Sequence, residues 1–268
     1  MSKNRILVIS DIHGCADLLV SILEQAQYQP HSDQLILLGD YIDRGGQSYE
    51  AVQLVKSLVQ DGAIALLGNH EDMAIQAIES DGIEQWFANG GRYTIRSYTQ
   101  NHAFVEDDIG FFKSLPLYHE TEDYIFVHAG LDPDYPRPET SDHDTLLWIR
   151  EHWLRCEYVG KPVVFGHTPA RSVTWDARGR KIGIDTGAVR WGTLSCLELP
   201  TMRVYTASPR QMLVEKAAVP SGPCSKKPNS CTIWTRSTHA CSTSTKPRRK
   251  GGHHSQDIKH ARYFQGRS

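Results

Sequence analysis

Short apolar runs and helical stripes take turns along the first part of the chain. Residues 5–10 (RILVIS) form an apolar run too short for a stable helix and read as a buried strand. Residues 16–27 place Leu18, Leu19, Ile22 and Leu23 on one helical face. A second strand is expected at LILLG (35–39) and a second helix at SYEAVQLVKSLVQ (48–60), with Ser48 as its N-cap. AIALLG (63–68) predicts a third strand, followed by a helix from Glu71. Strands that alternate with helices pair in parallel, because each helix carries the chain back to the end of the sheet where the last strand began. Residues 83–115 predict helix, interrupted at Asn89-Gly90-Gly91. From residue 124 strands dominate: YIFVH (124–128), PVVFGH (162–167), SVTWD (172–176), KIGID (181–185) and TLSCLEL (193–199). The expected fold is α/β, with two mixed β-sheets packed as a sandwich and helices on the outer faces.

Beyond Thr206 no period survives. Stretches such as PSGPCSKKPNS (220–230) and STSTKPRRKGGHHS (242–255) cannot bury enough apolar surface to offset chain entropy, so disorder is expected. Charge changes sign near the same place. Residues 1–215 carry 18 Lys and Arg against 30 Asp and Glu, a net of −12, whereas residues 216–268 carry 11 against Asp257 alone, a net of +10. The chain therefore divides into a folded body, 1–215, and a basic, disordered tail, 216–268. YFQG (263–266) resembles what remains of an engineered protease-cleavage site, so the tail is expected to be inert, added or frameshifted sequence. The alternative is a basic arm that binds nucleic acid non-specifically.

No run of about 18 apolar residues exists to span a membrane. The opening MSKNRILVIS lacks a secretory leader's apolar core, so the expected location is cytoplasmic. There Cys15, Cys156 and Cys196 stay reduced. Cys224, Cys231 and Cys241 lack C-x-x-C spacing; a zinc site there with His239 or His253 is the minor reading.

Five strand exits end in polar clusters: SDIHG (10–14), GDYIDRG (39–45), GNHE (68–71), VHAG (127–130) and FGHTP (165–169). The carboxyl ends of strands are where open α/β sheets bind ligands. Asp11 and His13 alternate, so on an extended chain they point to one side. Taken singly, each cluster has an ordinary explanation. Asp11 can cap a turn, Asn69 can cap a helix, and His128 and His167 can be satisfied histidines near the core. Together Asp11, His13, Asp40, Asn69, His128 and His167 form the oxygen and nitrogen ligand set of a hard or borderline divalent metal. The set is too large for one ion. Two metals sharing a carboxylate fit better, and ion pairs about 3.5–4 Å apart recur in phosphate-ester cleavage.

The ordered series D-x-H-G, G-D-x-x-D-R-G, G-N-H-E, H-A-G and G-H-T resembles the calcineurin-like metallophosphoesterase superfamily. Within it the series resembles the phosphoprotein-phosphatase family, in particular the lambda-phage type bacterial serine/threonine phosphatases. FANGGRY (87–93), LLWIRE (146–151) and GIDTGAVRWG (183–192) match that subgroup in order, and the resemblance covers residues 5–206. It implies the metallophosphoesterase fold and two divalent ions, manganese first, with iron or zinc also accepted. It implies Asp11 and His13 on the first metal, Asp40 bridging both, and Asn69, His128 and His167 on the second. Arg44 and Arg150 would grip phosphate oxygens together with Asn69. His70 would be the general acid, oriented by Asp43, and Glu71 would support a metal-bound water. GAVRWG would shape a loop near the metals with Arg190 or Trp191 against substrate, and Trp148 would pack in the core.

The chemistry asks for such parts. A phosphate monoester dianion repels a nucleophile, so metals must neutralise charge and acidify water. The planar guanidinium grips two oxygens at once and stays charged. An alkoxide leaves poorly without a proton, which an imidazolium beside a carboxylate can give. The implied function is hydrolysis of phosphoserine and phosphothreonine monoesters, with phosphotyrosine in reach, by a hydroxide that the two metals activate. The partners are then phosphorylated proteins or small phosphoesters. The alternative is a symmetrical diadenosine tetraphosphatase or related nucleotide hydrolase. A non-catalytic binding protein whose tail engages nucleic acid is the third reading, and it has no use for His70.

Overall fold

A computed structural model of the chain describes residues 5–80 and 82–209. The expected tail, its disorder and its zinc site lie outside the described residues. At the centre of the first sheet runs β1 (Arg5–Ile9), whose apolar residues from Leu7 onward are buried, as a strand covered on both faces requires. It pairs in parallel with β2 (Asp33–Leu37), Arg5 opposite Asp33, and antiparallel with β9 (Leu194–Leu199), Ile6 opposite Leu199. β3 (Ile64–Ala65) and β10 (Arg203–Ala207) complete the order β10-β9-β1-β2-β3. The second sheet has the order β4-β5-β6-β8-β7. Its parallel centre is β5 (Ile125–Val127), β6 (Val163–Phe165) and β8 (Lys181–Gly183). β4 (Tyr118–Glu120) and β7 (Thr174–Trp175) are its antiparallel edges.

Alternation along the strands builds the layers. Val8, Ile36 and Leu197 of the first sheet meet Phe126, Val164 and Ile182 of the second in one buried cluster. Their neighbours Leu7, Ile9, Leu35 and Leu37 point the other way, onto α1 (Ala16–Gln25) and α2 (Ser48–Gln60) through Leu19, Ile22, Val52 and Val55. Burying each such side chain contributes roughly 1.5–3 kcal/mol. On the outer face of the second sheet, Val127, Val163 and Phe165 pack against Leu146 of α7 (His143–Trp148) and Trp153 of α8 (Glu151–Arg155).

The expected two-sheet α/β sandwich is present, but the sheets do not divide at the middle of the chain. β9 and β10 return from the C-terminal part to extend the first sheet beside β1. The residues expected as a helical stretch from 83 form α4 (Ile83–Ala88), α5 (Gly91–Gln100) and α6 (Glu106–Ser114). The expected break falls between α4 and α5, where Gly90 takes φ 110°; a second, unexpected break follows Gln100. β4, β10, α7, α8 and α9 (Ala188–Trp191) were not expected from the pattern; each is short, and three to six residues give a period little to repeat. The third strand is two residues long, and the helix after it, α3 (Asn69–Glu79), starts before Glu71. Ser48 is not an N-cap. Gln47 holds that position, and the buried Ser48 hydroxyl accepts the Asp43 N–H at 3.2 Å.

Candidate active site

The five polar strand exits converge at one edge of the sandwich, and the backbone there is strained. His13, Asp40, Asp43, Arg44 and His167 have φ of 46°, 57°, 71°, 67° and 62°. L-residues rarely enter this left-handed region, and each visit costs of order 1–3 kcal/mol. Among the described residues three other non-glycines share it: Gln27, His102 and Met202. His13 is therefore not on an extended strand with Asp11, as alternation predicts; it turns inward. The Asp40 carbonyl holds that turn by accepting the Ile12 and His13 N–H groups at 2.9 and 2.8 Å.

Asp40 is held in turn by Glu71. The fully buried Glu71 carboxylate accepts the N–H groups of Asp40 (2.9 Å), Tyr41 (2.8 Å), Ile42 (3.2 Å) and Gly68 (3.2 Å). Both oxygens are committed to the backbone, so Glu71 clamps the loop rather than supporting a water. Burial and the neighbouring Asp40 push its carboxyl upward, but four N–H donors on its two oxygens leave a carboxyl proton no acceptor, so the group is held as the carboxylate. Gly68 is required beside it, because a Cβ there would overlap the Asp40 amide and carboxylate. Gly45 also meets the backbone, at the His13 carbonyl, whereas Gly46 faces open space.

The histidines present bare nitrogens. A carbonyl can only accept, so His13 Nδ1 donates to Ile42 O (2.9 Å) and His128 Nδ1 donates to Leu38 O (2.8 Å). In the neutral ring that leaves each Nε2 with a lone pair turned into the site. Arg44 Nη1 caps His13 Nε2 at 2.7 Å. His128 Nε2 faces Asn69 Oδ1 at 2.9 Å and Asp40 Oδ1 at 3.5 Å. Acceptor against acceptor is repulsive; a cation between them, or a turned-over amide, relieves it. His167 Nε2 is buried with no hydrogen-bond partner at all.

This donor set fits divalent metals. His13, Asp40 and His70 form one group able to hold an ion, and Asp40, His128 and His167 form another, with ligand atoms in each within 4.8 Å of one another. Asp40 is common to both. Burial lowers the pKa of His13 to about 3 and of His167 to about 2, keeping both neutral as ligands must be. Burial, and then repulsion from Asp11, raises Asp40 well above the usual carboxylate range, so its charge lacks compensation within the chain. Asp11 belongs to neither group: its carboxylate accepts the His167 N–H at 3.0 and 3.2 Å and the Ser10 hydroxyl. Trp148 is half-buried and packs against the first core cluster, as expected, and it also stands edge-on to His167 at 5.9 Å.

His70 sits at the start of α3 with Nε2 3.9 Å from Asp40 Oδ2. Its Nδ1 lies 2.6 Å from Asp43 Oδ2. Asp43 also accepts Trp86 Nε1–H at 3.0 and 3.1 Å and the Thr94 hydroxyl at 2.5 Å. Burial still lifts Asp43 to about 7, against the Thr94 and Trp86 hydrogen bonds. His70 is pushed well below its ordinary value by burial and then by Arg44. Trp86 and Thr94 come from α4 and α5, far along the chain, and no spacing rule would have linked them to Asp43.

A mouth of about 410 Å³ opens onto this centre, lined by His13, Arg44, Arg150 and His167. Asp185 lines it too, its Oδ1 accepting the Gly187 N–H at 2.9 Å and its carboxyl raised to about 8 by burial and by Asp11. The candidate set read from sequence lacks Asp185, although an acid directly after an apolar run, here in KIGID, is the signal that finds the other exits. A second cavity, of about 740 Å³ under residues 134–140, contains none of the candidate residues.

Residues 4–196 match the family model described as calcineurin-like phosphoesterase. The chain is a calcineurin-like phosphoesterase. Among curated relatives, this phosphoesterase is 32% identical over 206 residues to serine/threonine-protein phosphatase 2 of Salmonella typhimurium, covering 72% of this chain and 92% of that one. It is 33% identical over 196 residues to serine/threonine-protein phosphatase 1 of the same organism, covering 70% and 88%. An asymmetrical bis(5'-nucleosyl)-tetraphosphatase, PrpE of Bacillus cereus, is 28% identical over 231 residues, covering 74% and 92%. In fold, a putative diadenosine tetraphosphatase superposes with a TM-score of 0.62 at 23% identity over 77% of this chain and 96% of that one. A cold-active protein tyrosine phosphatase superposes with 0.56 at 17%, over 73% and 74%. Calcineurin-like phosphoesterases are hydrolases that use divalent metals, which agrees with the shared-carboxylate donor set. No described helix of this phosphoesterase is long and apolar enough to cross a membrane.

Proposed function

We propose that this phosphoesterase removes phosphate from phosphoserine and phosphothreonine in proteins, with phosphotyrosine and small monoesters as further substrates. The observation that carries the reading is His70, backed at 2.6 Å by Asp43 and facing the donor set with Nε2. An acid in that place matters when the leaving group is a poor one, such as a serine or threonine alkoxide. Bound at Asp11, His13 and Asp40 on one side and Asp40, Asn69, His128 and His167 on the other, two divalent ions, manganese by preference, would neutralise charge and supply an activated water.

The remaining work falls to side chains. Arg44 and Arg150 hold phosphate oxygens with charge-assisted bonds, and Asn69 adds a neutral one. Arg44 also depresses His70, so a phosphate dianion seated on Arg44 offsets that charge and favours a proton on Nε2. From Nε2 the proton passes to the departing oxygen. Asp43 keeps the ring in line, and Trp86 and Thr94 keep Asp43 in line.

His70→Asn is expected to lower kcat on a phosphoserine peptide by about 10²–10³-fold, yet on p-nitrophenyl phosphate by less than about tenfold. Equal losses on both esters would refute the acid assignment. Trp86→Phe keeps most of the ring and removes one donor to Asp43. It should cost about tenfold in kcat on the same peptide, with circular dichroism unchanged; no change in kcat would remove Trp86 from the relay.

The relatives named tetraphosphatases support a second reading, hydrolysis of dinucleoside polyphosphates, with the asymmetrical kind in PrpE rather than the symmetrical kind. There the leaving group is itself a phosphate and asks less of His70. Turnover of a phosphopeptide and of diadenosine tetraphosphate by one preparation separates the two. Peptide rates far below the dinucleotide rate would reverse their order.

A further inference from the structure

The folded body is acidic, yet the mouth of its active site is rimmed by arginines that lack carboxylate partners. Among the described residues Arg5, Arg137, Arg155 and Arg178 pair with an acid, whereas Arg92, Arg96, Arg180 and Arg203 lack such a pair but do not line this mouth. Arg44, Arg150, Arg171 and Arg190 are exposed and, among the described residues, have no carboxylate within 4.0 Å. Two of the four, Arg44 and Arg150, are accounted for by the reacting phosphate. Arg171 and Arg190 are not.

Both rest on one ring. The Arg171 guanidinium carbon lies 4.7 Å from the centre of Trp191, and that of Arg190 lies 5.1 Å from it. Trp191 is fixed by Gly187, where a Cβ would overlap the indole and where φ is 71°. Guanidiniums laid on an aromatic face lose little further freedom when they take an anion. Two like charges gathered on one ring without a counter-ion also repel each other, and a bound anion relieves that repulsion. Arg190 and Val189 line the same cavity as Arg44 and His13, and Pro169, two residues before Arg171, lines it too. An anion held here therefore sits beside the reacting phosphate.

We propose that Arg171 and Arg190, held on Trp191, form a second anion subsite that selects phosphopeptides carrying an Asp or Glu next to the phosphorylated residue. This rests on the phosphoprotein-phosphatase reading above. The indole is already engaged by two guanidiniums and Gly187, which disfavours it as a stacking platform for adenine. The net charge of −12 over residues 1–215 repels a polyphosphate at long range more than it repels a singly acidic neighbour.

The test uses two phosphoserine peptides of equal length that differ by Glu or Gln at the position next to phosphoserine. The wild-type chain should favour the Glu peptide in kcat/KM by about tenfold at low salt, and the preference should shrink as salt screens exposed charge. Arg190→Ala and Arg171→Ala should each cut that ratio by about threefold, through KM, and the double variant should bring it to about one. Arg190→Lys, which keeps the charge and loses the fork, should retain part of the ratio. Damage to the fold lowers both peptides together and leaves the ratio alone, so an unchanged ratio in the double variant overturns the proposal. A wild-type ratio near one does the same and leaves the phosphatase reading standing. Turnover of diadenosine tetraphosphate with neither peptide hydrolysed defeats the phosphatase reading, and the subsite with it.

Discussion

Asp40→Asn is expected to remove both metal ions and the activity together. The residue is 1% exposed, and its two oxygens look in different directions. Oδ1 stands 3.5 Å from His128 Nε2, while Oδ2 stands 3.6 Å from His13 Nε2 and 3.9 Å from His70 Nε2. It is the one residue common to both donor groups, so an amide here withdraws charge from two ions at once. Elemental analysis of manganese-loaded protein should fall from about two ions per chain to well below one, and kcat/KM should fall by at least about 10³-fold. His167→Asn, which touches one group, should cost one ion. Retention of two ions by Asp40→Asn would overturn the bridging assignment. A control separates this from misfolding. Burial holds the Asp40 carboxyl well above its unfolded value, so in chelator-treated protein its ionisation removes stability as pH rises. At neutral pH the metal-free variant should therefore melt no lower than the metal-free wild type. A large drop in Tm would show that the amide damages the loop.

Most of the site was legible because it is built at strand exits, where a polar residue after an apolar run is conspicuous. The structure brings Asp11, His13, Asp40, Asn69, His70, His128 and His167 to one edge, with Arg44 and Arg150 at the mouth. What the pattern could not carry is contact made across the fold. Trp86 looks like a core residue of a short helix, and it is one, but its N–H faces Asp43 from 43 positions away. Thr94 reaches the same carboxylate from 51 positions away. Glu71 misleads for the opposite reason. Its place in GNHE points to the metals, whereas burial and four amides turn it to the backbone. Chain topology was legible only up to the first three strands. An antiparallel return such as β9 beside β1 leaves no local mark, since TLSCLEL reads the same in either sheet.

Glu71→Gln is expected to be the costliest change that leaves every proposed ligand in place. The carboxylate meets two N–H groups on each oxygen: Tyr41 and Ile42 on one, Asp40 and Gly68 on the other. A glutamine has one oxygen to offer, so its NH₂ must face two N–H donors. Those donors are sealed from water, and each unsatisfied one costs roughly 1–3 kcal/mol. The sum, about 2–6 kcal/mol, is a large share of a typical folding free energy. For a domain of this size it corresponds to a Tm lower by about 4–24 °C, measured by calorimetry on the metal-free protein. Activity should fall as well, because the same amides include that of Asp40, whose left-handed backbone needs an external hold. Glu71→Asp tests the geometry separately. It keeps the charge but shortens the reach, so it should recover little of the lost Tm. If Glu71→Gln melts within about 1 °C of wild type while losing activity, the residue acts on the chemistry and not as a clamp.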